Sequence, residues 1–303
     1  MIRGSCLAAM LLLAGCTAAS PSASNSQPTA TPSPTLEPSP TPIPIDKAML
    51  ARRFTVLVTG IDSNASRRAA GIGINTDALM VVSVSPGQSR INVMSLPRDT
   101  VDIPMPDGSI YHGKINGIYE KLGIEALRGA LSTLLGVPID HYILVDMDDF
   151  RWMVDAVGGV DVDVKAPLSD AHVNLHLAAG PAHLDGATAL AYCRTRVDSD
   201  YRRAARQQQV MLALVRKWLD PSEATMVGSI ATLASLKTDM GLDLLPTLLE
   251  MGRRAESAAV TTIVLEPPRF SRFVGIEPNT ARGWVMIPDV PAIRAYVQAQ
   301  LGD

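Results

Sequence analysis

The chain has 303 residues, of which 47% are apolar, 19% charged and 4% aromatic, with a net charge of −3. That composition supports a sizeable core, in one large domain with appendages or in two modest ones. The near-neutral balance argues against a protein that coats nucleic acid, which carries a large positive excess. Cys6, Cys16 and Cys193 are too few for a disulfide scaffold or a four-cysteine zinc site.

The N-terminus reads as an export signal. Arg3 precedes a short apolar stretch from Cys6 to Leu13, and the small residues Ala14 and Gly15 stand before Cys16. The stretch falls short of the about 20 residues that a membrane span requires. Leu13-Ala14-Gly15-Cys16 is similar to a bacterial lipobox, which implies a signal peptide over residues 1–15 and a lipid on Cys16. Several acyl chains on one residue would anchor the protein at a membrane surface. Residues 16–46 form a tether rich in Pro, Ser and Thr, with eight prolines from Pro21 to Pro44. Such a segment favours polyproline II, and 24 residues at about 3.1 Å each reach roughly 75 Å.

The folded part, 47–303, alternates strand and helix. Phe54 to Val58 is a β-rich run ended by Gly60, and Ala78 to Val84 and Ile91 to Met94 are strands parted by Pro86-Gly87. Ile124 to Leu135 has helical periodicity and stops at Gly136, with Pro138 beyond it. Tyr142 to Val145 is a strand, Phe150 to Val157 a helix, and Val160, Val162 and Val164 alternate with polar residues as in a strand. Ala204 to Leu219 is a long helix. Helices near 223–237 and 243–256 follow, then strands at Thr261 to Leu265 and Trp284 to Ile287. The order predicts an α/β fold, a three-layer α/β/α sandwich around a central mixed β-sheet.

Several motifs fail on inspection. Gly108 to Gly113 with Lys114 has Walker A spacing, but Ile115 replaces the magnesium-binding hydroxyl. Gly71-Ile72-Gly73 begins a dinucleotide fingerprint that ends on Thr76. His172 and His176 have the spacing of zinc ligands on a helix, without the glutamate of the metalloprotease pattern. No G-x-S-x-G elbow is present.

What remains is arginine and aspartate. Arg194, Arg196, Arg202, Arg203 and Arg206 fall within thirteen residues. Arg194 and Arg196, two apart, share a face on a strand, while Arg203 and Gln207 share one on a helix. Guanidinium forks match phosphate oxygens, and the match strengthens where water is excluded. Arg98 follows a strand in Ser95-Leu96-Pro97-Arg98-Asp99. Asp62 and Asp77 sit at the ends of neighbouring strands, where two carboxylates could hold a hard divalent cation. Cation plus arginines is a recipe for a pyrophosphate.

The chain resembles the LytR-CpsA-Psr family of bacterial cell-wall phosphotransferases. The resemblance rests on Gly60-Ile61-Asp62, Thr76-Asp77, Ser95 to Asp99, Lys114-Ile115-Asn116 and Ile139-Asp140-His141-Tyr142. It continues through Val157 to Val162, Leu184-Asp185-Gly186, Ala189 to Tyr192, Arg194-Thr195-Arg196, Asp200, Arg203 and Arg206-Gln207-Gln208. These pieces keep the family's order over 54–219, and 220–303 matches weakly. The resemblance implies an α/β/α sandwich with a groove for a polyprenyl tail, moving a glycopolymer from polyprenyl pyrophosphate to peptidoglycan. It implies magnesium, or manganese in its stead, on Asp62 and Asp77. It implies pyrophosphate binding by Arg98, Arg194, Arg196 and Arg203, with Asp200, Arg206, Gln207, Asn75 and Lys114 around the substrate. The protein would act at the outer face of the cytoplasmic membrane, held by Cys16, and would bind no nucleic acid.

Two departures stand out. Asn75 occupies a place where the family carries arginine, and Arg67 or Arg68 is expected to turn towards Asp77 in compensation. The spacing from Arg196 to Asp200 is short. A non-catalytic lipoprotein that binds polyprenyl phosphate or glycopolymer is the alternative that Asn75 keeps open. A transcription regulator is the other, and the export signal and net charge argue against it. Apolar residues along 208–219 fit a plain core better than a lipid tunnel.

Overall fold

The computed structural model describes residues 43–219, 236–278 and 280–302. The expected signal peptide, Cys16, most of the expected tether and most of the helix expected near 223–237 therefore lie outside the described residues. Asp46 caps a short helix, α1 (Lys47–Ala51), by accepting from Met49 N at 3.0 Å. This helix is the first element among the described residues.

Six strands make the central sheet: β1 (Phe54–Ile61), β2 (Thr76–Val84), β3 (Arg90–Ser95), β6 (His141–Val145), β11 (Lys237–Thr238) and β12 (Ala259–Val264). Their order is β11-β6-β1-β2-β3-β12. β1 and β6 run parallel, as do β3 and β12, and the other neighbours are antiparallel. The sheet is mixed, as expected. Alternation along β1 and β2 explains its two faces, because successive side chains point to opposite sides. Leu57, Leu79 and Val81 face a core shared with α3 (Ile118–Leu135) and α8 (Val290–Leu301). Phe54, Val56 and Val84 face a second core with α1 and α7 (Leu245–Arg254). Each fully buried Leu contributes about 2 kcal/mol by leaving water. Helices on both faces make the three layers.

α3 is interrupted at Gly123, whose φ of 86° and ψ of 174° no helix accommodates, so its regular part starts at Ile124 as the periodicity predicts. It ends at Gly136, in the left-handed conformation at φ 73°, where glycine has no Cβ penalty. Two helices start earlier than their apolar periodicity does, because polar caps precede it. α4 (Met147–Ala156) is capped by Asp146 and α6 (Asp200–Trp218) by Ser199. β11 corrects the helical reading at 237: Lys237 pairs in the sheet with Leu144.

Smaller hairpins decorate this frame. β4 (Ile103–Pro104) pairs with β5 (Ile110–Tyr111), so the Walker-like glycines occupy a hairpin and not a strand-to-helix loop. β7 (Val160–Val164) pairs with β10 (Gly180–Leu184), and β8 (Leu168–Asp170) with β9 (Leu175–Leu177). His176 lies in β9 with Nδ1 3.0 Å from Ser169 Oγ, so the helical zinc-ligand spacing with His172 does not form. α2 (Ala65–Ala69), α5 (Gly186–Arg194), β13 (Ser271–Ile276) and β14 (Trp284–Pro288) are the remaining described helices and strands. Beyond residue 236 the chain finishes the sandwich: β12 extends the sheet and α8 packs beside α3. Among the described residues no helix is long and apolar enough to cross a membrane.

Candidate active site

Most of the candidate residues converge at one end of the central strands β1 and β2. Asp62 follows β1 and Asp77 is the second residue of β2; the antiparallel pairing of Gly60 with Ala78 brings these ends together. Arg98 lies in the loop after β3. Arg194 closes α5, Arg196 follows it, and Asp200, Arg203 and Gln207 occupy the first two turns of α6. Arg194 and Arg196 do not lie on a strand as their spacing suggested. Asp185 caps α5 by accepting from Thr188 N at 2.8 Å, and the helix it starts carries the chain to Arg194.

Charges alternate around a closed ring. Arg98 Nη1 donates to Asp77 Oδ1 at 2.8 Å, and Arg196 Nη2 to Asp77 Oδ2 at 3.2 Å. Arg196 Nε lies 3.4 Å from Asp200 Oδ1, and Arg98 Nε 3.4 Å from Asp200 Oδ2. Arg203 closes the ring from below, donating to Asp77 O and to Asp200 Oδ2, both at 3.1 Å. Arg203 is 3% exposed, and that burial pulls its guanidinium down to about 10, still charged at neutral pH. Burial pulls Arg98 down too, but Asp77, Asp200 and Asp99 outweigh it and hold its pKa above the ordinary value.

Beside the ring, Asp62 receives Arg67: Nη2 stands 3.0 Å from Oδ2 and Nε donates to the Asp62 carbonyl at 2.9 Å. Arg194 Nη2 is 3.8 Å from Asp62 Oδ1. Neither arginine expected to offset Asn75 turns to Asp77: Arg67, on the short helix Ala65–Ala69, goes to Asp62. Arg68 turns instead to Asp146, at 3.0 Å. Asn75 is exposed, and its carbonyl accepts from Asp62 N at 2.8 Å. Lys114 pairs with Asp99 at 2.6 Å, which places it behind Arg98. Arg206 needs correction. It is buried, and its guanidinium donates to Tyr192 O at 3.0 Å, Asp198 Oδ2 at 2.6 Å and Thr195 O at 2.5 Å. With all three nitrogens turned inward it has none to offer a substrate.

The ring opens on a cavity of about 240 Å³. Asp62, Asp77, Arg194, Arg196, Arg203 and Gln207 line its polar end. The rest is apolar: Met80 and Ile143 from the sheet, Phe150 and Met153 from α4, and Met211, Leu214, Val215 and Trp218 from α6. The α6 residues fall at helical spacing on one face. That corrects the plain-core reading of 208–219 for Met211 and Val215; Leu214 and Trp218 line the cavity and also pack in the core, and Val210 on the other side is fully buried core. Cys193 also lines the cavity, and burial pushes its thiol up to about 12, so it is not a nucleophile.

The sequence reading passed over Asp146, though its signal was present: an aspartate directly before Met147, Phe150, Met153 and Val154 marks a helix start. Its side chain is 2% exposed, lines the cavity and caps α4 through Asp148 N and Asp149 N. Burial works against its charge, but the Asp149 N–H, Lys237 and Arg68 outweigh burial and hold the carboxyl below its ordinary pKa. A depressed folded pKa adds stability that is present above the unfolded value of about 3.9 and is lost as pH falls through the folded one. Asp146→Asn keeps the cap and loses the charge, so at pH 7 it should cost about 1–3 kcal/mol. Thermal unfolding of variant and parent should converge as pH falls below 4; an equal gap at pH 7 and pH 3 would remove the carboxylate from this account.

Asp62 and Asp77 are oxygen donors of the kind magnesium accepts together with phosphate oxygens. Among the described residues no cluster of three or more metal-ligating side chains is found. Both Asp77 oxygens pair with Arg98 and Arg196 and Asp62 Oδ2 with Arg67, so an ion on these carboxylates would share them with arginines and take its other oxygens from a phosphate ligand.

A basic, carboxylate-braced cleft above an apolar cavity, on an α/β/α sandwich, has the charge and lining that match an amphiphilic anion. The chain matches the LytR_cpsA_psr family over residues 19–271 and belongs to it. It is 32% identical over 195 residues to the polyisoprenyl-teichoic acid–peptidoglycan teichoic acid transferase TagV of Bacillus subtilis (strain 168), covering 62% of this chain and 49% of that protein. It is 32% identical over 203 residues to the transferase TagU of Bacillus anthracis (strain CDC 684 / NRRL 3495), covering 65% of this chain and 64% of that protein. The match therefore spans about half of the first relative and under two thirds of the second. The crystal structure of B. subtilis TagV superposes with a TM-score of 0.66 at 26% identity, covering 83% of this chain and 98% of that one.

Proposed function

We propose that this protein is an extracytoplasmic phosphotransferase that moves a glycopolymer from a polyprenyl-pyrophosphate carrier to peptidoglycan and releases polyprenyl phosphate. The observation that carries the reading is the continuity of the arginine ring with the apolar cavity. One end suits a diphosphate and the other a hydrocarbon tail, and the transferase names of TagV and TagU agree with that pairing. Cys16 would hold the protein by lipid at the outer face of the cytoplasmic membrane.

An acceptor hydroxyl oxygen attacks the sugar-side phosphorus, a new P–O bond forms, and the P–O bond to polyprenyl phosphate breaks. Arg98, Arg196 and Arg203 are preorganised to neutralise oxygens as charge moves to the leaving group. Their carboxylate partners hold the forks in place before the ligand arrives, so little reorganisation is required at the moment of reaction. Asp62 Oδ1 has only a loose ion pair, with Arg194 at 3.8 Å, which leaves it the freest oxygen here to take the hydroxyl proton. Asp62 and Asp77 would hold magnesium or manganese, which supplies further neutralisation of the diphosphate.

Mass spectrometry of lipid co-purifying with the protein from a bacterial host tests the reading, beside an Arg194→Ala/Arg196→Ala double variant. Polyprenyl phosphate or pyrophosphate on the parent and its loss from the variant is the expected result. No polyprenyl lipid on a folded parent, with magnesium present, would overturn it.

A further inference from the structure

Arg194 and Arg196 have side chains that are 48% and 44% exposed; Arg194 has only a long ion pair with Asp62, at 3.8 Å, and Arg196 pairs with Asp77 and Asp200 at 3.2 and 3.4 Å. Burial does not fix them, unlike Arg203. The carboxylates engage only the tips of these side chains; their backbone is anchored by the residue between. Thr195 is 0% exposed, and three of its polar groups are engaged. Its N–H donates to Ala191 O at 3.0 Å, continuing α5 by one bond. Its hydroxyl donates to Asp170 Oδ2 at 2.6 Å, and its carbonyl accepts from Arg206 Nη2 at 2.5 Å.

Each grip is itself braced. Asp170 is 8% exposed, ends β8, and uses its other oxygen to accept from His172 N at 3.0 Å. Arg206 is tied to Tyr192 O and Asp198, on either side of the Arg194-Thr195-Arg196 segment. Backbone after a helix end is ordinarily free to move; here a hairpin and a helix seize one residue from opposite sides. With Thr195 turned inward, the side chains before and after it are thrown outward, Arg194 to Asp62 and Arg196 to Asp77.

We propose that Thr195, Asp170 and Arg206 are positioning residues that aim Arg194 and Arg196 at the anion in the cleft. None of the three touches that ligand. The inference deepens the proposed function and rests on it for the identity of the anion, but the aim of the arginines can be measured without any ligand.

The test uses the full chain in detergent, with Thr195→Val to delete the hydroxyl at constant shape and Thr195→Ser to restore it. Crystal structures should show Arg194 and Arg196 displaced from Asp62 and Asp77 in Thr195→Val and in place in Thr195→Ser. Farnesyl diphosphate should bind Thr195→Val at least ten times more weakly than the parent, and Thr195→Ser within twofold of it. Farnesol, which has the tail and no phosphate, should bind all three alike; general loosening of the fold would shift it too. Arginines that keep their places in Thr195→Val, or equal losses for farnesol and farnesyl diphosphate, would overturn the proposal. Displaced arginines in Thr195→Val, with a parent that binds farnesyl diphosphate no better than farnesol, would uphold the positioning and sink the phosphotransferase reading.

Discussion

Arg203→Lys should lower glycopolymer transfer by about 100- to 1000-fold, the range seen when one preorganised donor is taken from a transition-state site. Arg203 is the one site arginine that is almost wholly buried, and a single guanidinium holds both the Asp77 carbonyl and the Asp200 carboxylate. Lysine keeps the charge but is a point donor on a different stem and cannot reproduce a planar fork. Burial would also push an ammonium towards its neutral form. Asp200 would lose one of its three arginine partners and the ring its floor. Single-turnover assays with a polyprenyl-linked donor would read the effect, with binding of inorganic pyrophosphate as a second measure. A variant that transfers within threefold of the parent would mean that Arg203 braces the fold and does not act on the diphosphate.

Met211→Trp should separate the two ends of the site. Met211 lines the cavity one turn beyond Gln207, so an indole there fills space that hydrocarbon would occupy. Excluding two methylenes of a tail from an apolar wall forfeits about 1.6 kcal/mol, or roughly 15-fold in affinity. Farnesyl phosphate should therefore bind 10- to 100-fold more weakly, and inorganic pyrophosphate should bind as before, because the arginine ring is untouched. Calorimetry with both ligands decides the matter. An unchanged affinity for farnesyl phosphate would show that the tail lies elsewhere.

Much of this was legible in the sequence, and the reasons are local. Strands β1 to β3 and the regular part of α3 announce themselves by alternation, periodicity and Gly136, which are properties of neighbouring residues. The ring was legible as residue types, since five arginines within thirteen residues and two aspartates at neighbouring strand ends stand out in a chain of net charge −3. Its connectivity was not. Nothing in the spacing of Arg206 distinguishes a ligand arginine from a clasp, because the acceptors Tyr192 O, Thr195 O and Asp198 are set by how α5 meets α6. The cavity was hidden for a related reason. An apolar stripe at 211, 214, 215 and 218 reads the same whether it meets other side chains or a void. Helix α5 escaped because its Gly, Ala and Thr residues give little periodic contrast, although Asp185 was a visible cap.

Helix α6 serves both ends of the site, and so it works as a ruler. Arg203 stands near its start and Trp218 at its end, and fifteen residues at 1.5 Å each set them about 22 Å apart. A rigid rod of that length keeps head and tail at a constant separation, whatever the carrier. For a carrier whose phosphate rests at Arg203, carbon beyond that span meets no more of α6. Lengthening the hydrocarbon should then strengthen binding only up to the end of the rod, and longer carriers should be held alike.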